Sequence, residues 1–241
     1  MVEHIQRMPV RAPTFIRLLT RLTDTAPLPP ALSLADKLGQ WTDWNRAVAL
    51  SRALDGATPT PQADARPFDA EDETACARTR AALVDSITDD AAWLAAMGKP
   101  ADTLGDDAPH AAFAAFQQRY IALQRAMQSA TGKLRGQLRD RLANTSAEMA
   151  RLAEIDAAME LVLSSREHAL LGNVPMLLAR HFDRMRNDAP AMDDADADAA
   201  TTPPAPSPTT PALRRDMQSL LLAELDLRFQ PIEALLAALR A

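Results

Sequence analysis

The feature that most constrains this fold is a long run of apolar residues at helical spacing. From Phe113 to Leu134, the apolar side chains recur at alternating steps of three and four residues. Such steps are typical of a coiled-coil seam, so the run predicts one long helix with a single apolar edge. Two steps of four then reach Leu138 and Leu142, a stutter that locally unwinds a supercoil without ending the helix. The seam consists of Phe113, Phe116, Tyr120, Leu123, Met127, Ala130 and Leu134.

A second apolar stripe follows a short polar boundary at residues 144–146. Thr145 and Glu148 have the spacing of a reciprocal N-terminal cap, which predicts that a new helix begins there. We therefore expect the chain to turn and residues 110–171 to form a long antiparallel, coiled-coil-like hairpin. The second stripe consists of Met149, Leu152, Ile155, Met159, Val162 and Leu163.

The composition favours helices throughout the chain. Aromatic residues make up 4% of it, and Ala and Leu far outnumber the residues that prefer strands. We predict an all-α fold, a helical bundle. Near the N-terminus, Ser33 can cap a helix that runs from Leu34 to Leu54. Trp41 and Trp44 lie on or beside its apolar face, where each either packs in the core or anchors a partner.

Changes in composition divide the chain into four segments. Residues 1–104 form an N-terminal helical region, and residues 105–187 form the long hairpin plus a short helix. Residues 188–211 are rich in Asp and Pro and almost devoid of large apolar side chains, which predicts a disordered linker. Residues 212–241 return to a Leu-rich helical pattern and predict an amphipathic C-terminal helix, kinked or interrupted at Pro231.

No motif in the sequence indicates catalysis. The chain lacks a nucleophile elbow, a glycine-rich phosphate loop and an HExxH metal motif, so we expect neither an enzyme nor a cofactor. His168 and His181, with Glu167 and Asp183 beside them, could bind a metal, but charged residues on solvated helix faces explain them better. The single cysteine, Cys76, excludes an intramolecular disulfide. We therefore predict no metal site.

Charge and hydropathy indicate a soluble cytoplasmic protein. No segment is apolar enough to predict a membrane span, and the N-terminus does not resemble a secretory signal. A net charge of -6 at pH 7 makes general nucleic-acid binding an unfavoured alternative. A basic run is its one candidate site, although the arginines there lack interleaved aromatic residues for base stacking. The run comprises Lys133, Arg135, Arg139 and Arg141.

We expect a non-enzymatic adaptor or structural protein that binds a protein partner through its apolar stripes. An apolar helix tethered by a flexible linker must dock on its own domain, on a second copy or in a groove of a partner. Homodimerisation through the same stripes is thus one of the open alternatives. The predicted partner-binding residues are Phe113, Phe116, Tyr120, Leu123, Met127, Leu213, Met217, Leu221, Leu225, Ile232 and Leu236.

Two stretches resemble an uncharacterised family of proteobacterial helical proteins, a domain of unknown function that covers nearly the whole chain. One stretch is Leu-Gly-Gln-Trp-Thr-Asp-Trp at 38–44 with the following helix to Leu54, and the other runs from Arg215 through Arg228 and Pro231 to Leu239. The resemblance implies a gene that lies beside genes for motor-stator-like membrane proteins and peptidoglycan-binding outer-membrane proteins. The resemblance implies an accessory cytoplasmic component of an envelope-spanning complex, or of a phage-defence system.

Overall fold

The described part of the chain consists of helices joined by short connections. A computed structural model describes residues 13–24, 33–56, 66–96, 108–188 and 209–241. These ranges contain helices and no strand, which confirms the predicted all-α fold. The helices are α1 (Thr14–Thr23), α2 (Leu34–Trp41), α3 (Trp44–Asp55), α4 (Ala70–Thr88), α5 (Asp90–Ala96), α6 (Ala108–Ala143), α7 (Ala147–Gly172), α8 (Val174–Asn187) and α9 (Thr209–Arg240).

Two long helices, α6 and α9, pack along each other at the centre of the bundle. Helices α4 and α8 contact both of them, α5 packs on α6, and α1 lies across α8 and α9. On another side of α6, helix α7 folds back and carries α2 and α3 on its outer face. Helix α6 therefore takes part in two interfaces, one with α9 and one with α7.

The core is built around the α6 seam. Phe116, Tyr120 and Met127 are at most 1% exposed, and Trp93 of α5 is fully buried among them. The Trp93 ring meets the Phe116 ring edge to face, with centroids 5.6 Å apart. Its indole Nε1 donates a hydrogen bond of 2.8 Å to the carbonyl of Ile87, so the one polar atom of the side chain is satisfied.

The turn between α6 and α7 lies where the sequence predicts it, but a different residue caps the new helix. Ser146 Oγ accepts a hydrogen bond of 3.2 Å from the backbone N–H of Met149. The predicted cap, Thr145, instead donates its hydroxyl to the carbonyl of Arg141 at 3.1 Å. The hydroxyl of Thr145 is thus committed to the end of α6, which leaves the cap to the next residue.

The inward face of α7 is rotated from the predicted stripe. Of the six predicted stripe residues only Val162 is buried, and Leu152 is 38% exposed. The other buried positions carry alanine, which lets the helix backbone approach its neighbours closely. They are Ala150, Ala153 and Ala158. Helices α6 and α7 are adjacent, whereas coiled-coil packing between them stays a prediction.

The single helix predicted from Leu34 to Leu54 is wrong, because two helices occupy this segment. Asp43 is extended and its carboxylate accepts the N–H of Arg46 at 2.9 Å, so it caps a second helix. Apolar spacing continues across this cap, which is why periodicity alone does not reveal the break. As a consequence Trp44, at the start of α3, is 81% exposed.

Helix α9 begins earlier than predicted and continues through Pro231. Its first residue is Thr209, so Pro211 lies in the first turn, where the missing N–H has no cost. Pro231 lies inside the helix, so of the two predicted outcomes the interruption is wrong and the kink stays a prediction. The predicted linker, residues 188–211, lies outside the described residues except at its two ends: Asp188 follows α8, and residues 209–211 are helical.

Candidate functional site

The two apolar stripes predicted to bind a partner are buried within the chain. The α6 seam and the α9 stripe lie in one hydrophobic core. The C-terminal helix therefore docks on its own chain in this structure, and its stripe is not an exposed surface. The buried residues are Phe113, Phe116, Tyr120, Leu123, Met127, Leu213, Met217, Leu221, Leu225, Ile232 and Leu236.

The basic run joins helices rather than forming an open cationic patch. Arg135 donates to Asp156 of α7 at 2.6 Å and 2.8 Å. Arg139 donates to Glu160 of α7 at 2.5 Å. Burial lowers the pKa of the Arg135 guanidinium, but hydrogen bonding and attraction from Asp156 outweigh it and raise that pKa.

The last two residues of the run differ from each other. Arg141 pairs with Asp72 of α4 at 3.2 Å, whereas Lys133 is exposed and forms no ion pair with a described residue. Carboxylates therefore already neutralise three of the four cations. Nucleic-acid binding through this run stays a prediction, which salt-dependent retention on DNA or RNA would test.

The two histidines that could have formed a metal site lie in different surroundings. His181 Nε2 lies 3.0 Å from Asp216 Oδ2 of α9 and joins α8 to that helix. His168 lies on exposed α7 surface beside a groove. Across the described ranges, no group of three or more His, Cys, Asp or Glu side chains is arranged to hold a metal ion.

An apolar groove of about 480 Å³ lies where α1, α2, α6, α7 and α9 meet. Two of its apolar side chains are well exposed, Ile16 at 38% and Leu170 at 65%. The groove is thus open to solvent although it is lined mainly by carbon, an arrangement typical of sites that receive another molecule. The apolar side chains are Phe15, Ile16, Trp41, Leu163, Leu170, Leu171, Leu227 and Pro231.

Arg166 marks one edge of the apolar groove. Its guanidinium lies over the ring of Trp41, 5.7 Å from the ring centroid, a cation–π contact that holds the charge at the groove wall. The side chain is exposed and forms no ion pair with a described residue. This cation is therefore free to form an ion pair with a carboxylate of another molecule.

A buried ion-pair network lies under the apolar groove. Glu224 of α9 is fully buried, and its Oε1 accepts hydrogen bonds from Arg228 Nε at 3.0 Å and Nη2 at 2.8 Å. Its Oε2 accepts a bond of 2.9 Å from Gln124 of α6. Arg228 also donates to Glu167 of α7 at 3.0 Å. The network therefore ties α6, α7 and α9 together.

Tyr120 is affected by the same network. Burial raises the pKa of its hydroxyl well above the ordinary value of 10.0, and the nearby Glu224 carboxylate adds to the rise. The hydroxyl is buried without a hydrogen bond of ordinary geometry. The residue thus contributes packing, and its phenol stays protonated in the folded protein.

A second, smaller cavity continues from the apolar groove beside the junction of α7 and α8. It has a volume of about 230 Å³, and we call it the polar cavity. It shares Gln128, His168, Leu171 and Arg228 with the groove, so the two spaces adjoin. The polar side chains in its lining are Gln124, Arg125, Gln128, His168 and Arg228.

Sequence reasoning missed both cavities and the buried network, although one signal pointed to the network. Glu224 lies seven residues after Met217 and three after Leu221, which puts a carboxylate on the apolar face of α9. Arg228, four residues further along, supplies its counter-charge. A charge at a core position next to an opposite charge one turn away is a detectable sign of a buried pair.

The fold and the site define an all-α helical bundle with an open apolar groove. The chain belongs to the family described as Protein of unknown function (DUF3348), which matches residues 1–241. This confirms the predicted membership in an uncharacterised helical family. No curated protein and no solved structure matches the chain. Of the helices described here, none has the length and apolar character needed to cross a membrane.

Proposed function

We propose that this protein is a non-enzymatic, cytoplasmic helical adaptor that binds a protein partner in the apolar groove. The observation that carries the proposal is the groove itself, an open apolar surface walled by five helices with Ile16 and Leu170 exposed. An amphipathic helix can place its apolar face in such a groove while its polar face stays in water.

The helix-in-groove mechanism predicted from the sequence is retained, but its surface is the apolar groove and not the α6 seam or the α9 stripe. The seam of α6 and the stripe of α9 are already occupied by each other. Exposing them would cost the burial that holds the bundle together. A partner that binds the folded chain therefore needs a surface that is open already.

The charge at the groove edge specifies the partner further. Arg166, held over Trp41, has no carboxylate partner among the described residues. A segment with an acidic residue beside its apolar face complements this cation. Around the groove, Glu160 and Glu167 both accept hydrogen bonds from arginines, which favours a binding surface over one that supplies a free general base.

The family resemblance supplies the first candidate partner. It implies an accessory component of an envelope-spanning, stator-like complex or of a phage-defence system. A cytoplasmic segment of a stator-like membrane protein is therefore the first ligand to test. The alternative that two copies of this chain bind each other through the groove is a separate outcome of the same test.

The decisive variant is Leu170→Glu, which puts a charge on the open wall of the groove. Leu161→Glu is the matched control, because Leu161 lies on the same helix, is 59% exposed and does not line the groove. Both proteins would be purified at full length and checked for helicity and mass in solution. Each would then be titrated with cytoplasmic segments of the stator-like protein, and each would be tagged in its native cell for quantitative co-purification.

We expect Leu170→Glu to weaken partner binding at least about tenfold, since it buries a charge at an apolar contact, and Leu161→Glu to bind normally. If both variants retain the same partners with the same affinity, the groove is not the binding surface. If only the wild type and Leu161→Glu dimerise, a second copy is the partner.

A further inference from the structure

The polar side chains that line the polar cavity are arginines, a histidine and amides. Arg125, Arg228 and His168 line it together with the amides of Gln124 and Gln128. None of the described residues that line it is acidic. A cavity with this content is complementary to an oxyanion, because guanidinium and amide N–H groups donate to carboxylate or phosphate oxygens.

The cations of the polar cavity differ in how far they are neutralised. Arg228 is only 9% exposed and is already bonded to Glu224 and Glu167. Arg125 is exposed on α6 and forms no ion pair with a described residue. Arg125 is therefore the cation with unused charge, and Arg228 provides a rigid wall whose guanidinium cannot rotate away.

The two cavities form one continuous surface. Gln128, His168, Leu171 and Arg228 line both of them. A ligand that fills both must join an apolar portion to an anionic portion a short distance away. This is the pattern of a protein segment in which an acidic residue follows an apolar face.

We propose that the polar cavity binds a carboxylate of the partner segment whose apolar face occupies the groove, with Arg125 as the specificity-determining residue. The inference rests on the proposed function and deepens it by specifying the chemistry of the partner. Arg125 pairs with the carboxylate, and the Gln128 side chain offers an amide donor beside it. The Gln124 amide already donates to Leu171 and Glu224, so it shapes the cavity wall.

The openness of the groove favours a protein segment over a free lipid acid. Ile16 and Leu170 are exposed at 38% and 65%, so an alkyl chain lying there would stay partly in water. A helix has a polar face for that open side, and only its apolar face needs cover. A free phosphate ion would use the polar cavity alone and ignore the groove.

The test uses three probes and the full-length protein. Two are capped peptides, leucyl-leucyl-glutamate and leucyl-leucyl-glutamine, which differ in one charge, and the third is inorganic phosphate. Binding is followed by NMR of the arginine Nε–H groups and by fluorescence. The variants are Arg125→Gln, the conservative Arg125→Lys and the matched control Arg78→Gln, since Arg78 is exposed on α4 and lines neither cavity.

We expect the glutamate peptide to bind about fivefold more tightly than the glutamine peptide, the size of effect that a partly exposed ion pair gives. Arg125→Gln should abolish this preference, Arg125→Lys should restore part of it, and Arg78→Gln should leave it unchanged. Phosphate should compete only weakly.

Three results would overturn the inference. They are equal affinity for the two peptides, no binding of either, and phosphate binding that neither peptide displaces. If the two peptides bind with equal affinity but both still bind in the groove, the carboxylate site is ruled out and the adaptor proposal stands. Conversely, if the glutamate preference holds but Leu170→Glu loses no partner in the cell, the adaptor proposal fails and the carboxylate site stands.

Discussion

The two sides of helix α6 differ in what packs against them. Towards α9, the buried residues are large: Met217, Leu220 and Leu221 are fully buried in the same core as the aromatic side chains of the α6 seam. On α7, the buried residues are mainly alanines, and several large side chains are exposed, among them Leu161 at 59% and Leu170 at 65%. The same kind of sequence, rich in Ala and Leu, therefore builds a closed interface on one side and an open surface on the other.

The two sides differ in whether the chain itself covers their apolar surface. On the α6–α9 side, the apolar stripes of the two helices bury each other. On the α7 side, buried alanines allow the helices to pack closely. The leucines of α7 remain exposed, so this side keeps uncovered apolar surface. The open groove is lined by more residues of α7 than of any other helix, so the proposed binding surface lies mainly on this second side.

The largest predicted effect concerns the buried pair on the closed side. Glu224→Ala should lower the free energy of unfolding by about 3 kcal/mol, because it leaves the Arg228 cation nearly buried with only Glu167 as partner. Urea denaturation followed by circular dichroism measures the change. In the double variant Glu224→Leu, Arg228→Met, most of this loss should be recovered. A single variant as stable as the wild type would show that the network adds nothing to the closed interface.

The second prediction compares the two sides directly. Leu221→Ala, on the closed side, should destabilise the protein by about 2–3 kcal/mol, since it opens a cavity at a fully buried position. Leu161→Ala, on the open side, should change the unfolding free energy by less than about 0.5 kcal/mol. Equal losses for the two substitutions would contradict the distinction between a closed and an open face.

The third prediction concerns the polar contacts between α6 and α7. Asp156→Asn removes the charge that Arg135 and Arg139 share, where all three side chains are less than 20% exposed. The expected loss is about 1 kcal/mol, decreasing with added salt. Glu73→Gln, which disrupts the exposed pair with Arg240, serves as the control and should cost less than about 0.5 kcal/mol. If the two losses are equal, partial burial does not strengthen the Asp156 contacts.

The smallest effect at neutral pH is expected for Tyr120→Phe, which removes a buried hydroxyl without a hydrogen bond. Stability at pH 7 should change by less than about 1 kcal/mol. Because the pKa of Tyr120 is raised in the folded protein, only the unfolded chain loses this proton as the pH passes 10.0, and stability then falls. The variant should lose less stability than the wild type above that pH. Identical alkaline profiles would mean that Tyr120 is not desolvated.

Periodicity predicted the closed side well. The α6 seam consists almost entirely of large apolar residues at regular steps, so its burial follows from the pattern whichever helix covers it. Periodicity was less informative for α7, where Ala and Leu both count as apolar. The helix could rotate to bury its alanines because small side chains allow closer packing, a gain that depends on the neighbouring helix.

The candidate site was not predictable from spacing. Phe15, Trp41, Leu170 and Leu227 lie far apart in the sequence and meet only through the packing of four different helices. Arg125 and Arg228 likewise converge on the polar cavity from α6 and α9. A periodic pattern describes one face of one helix, whereas a cavity forms where the faces of several helices meet.

The helical class, most helix boundaries and the burial of the α6 and α9 stripes follow from the sequence alone, because backbone caps and apolar periodicity are local properties. The covering of the α9 stripe by its own chain and the open groove beside Leu170 follow from how the helices pack together. The physical reason is that hydrophobic burial specifies that a surface must be covered, and not which surface covers it. That choice depends on shape, charge pairing and the geometry of neighbouring helices.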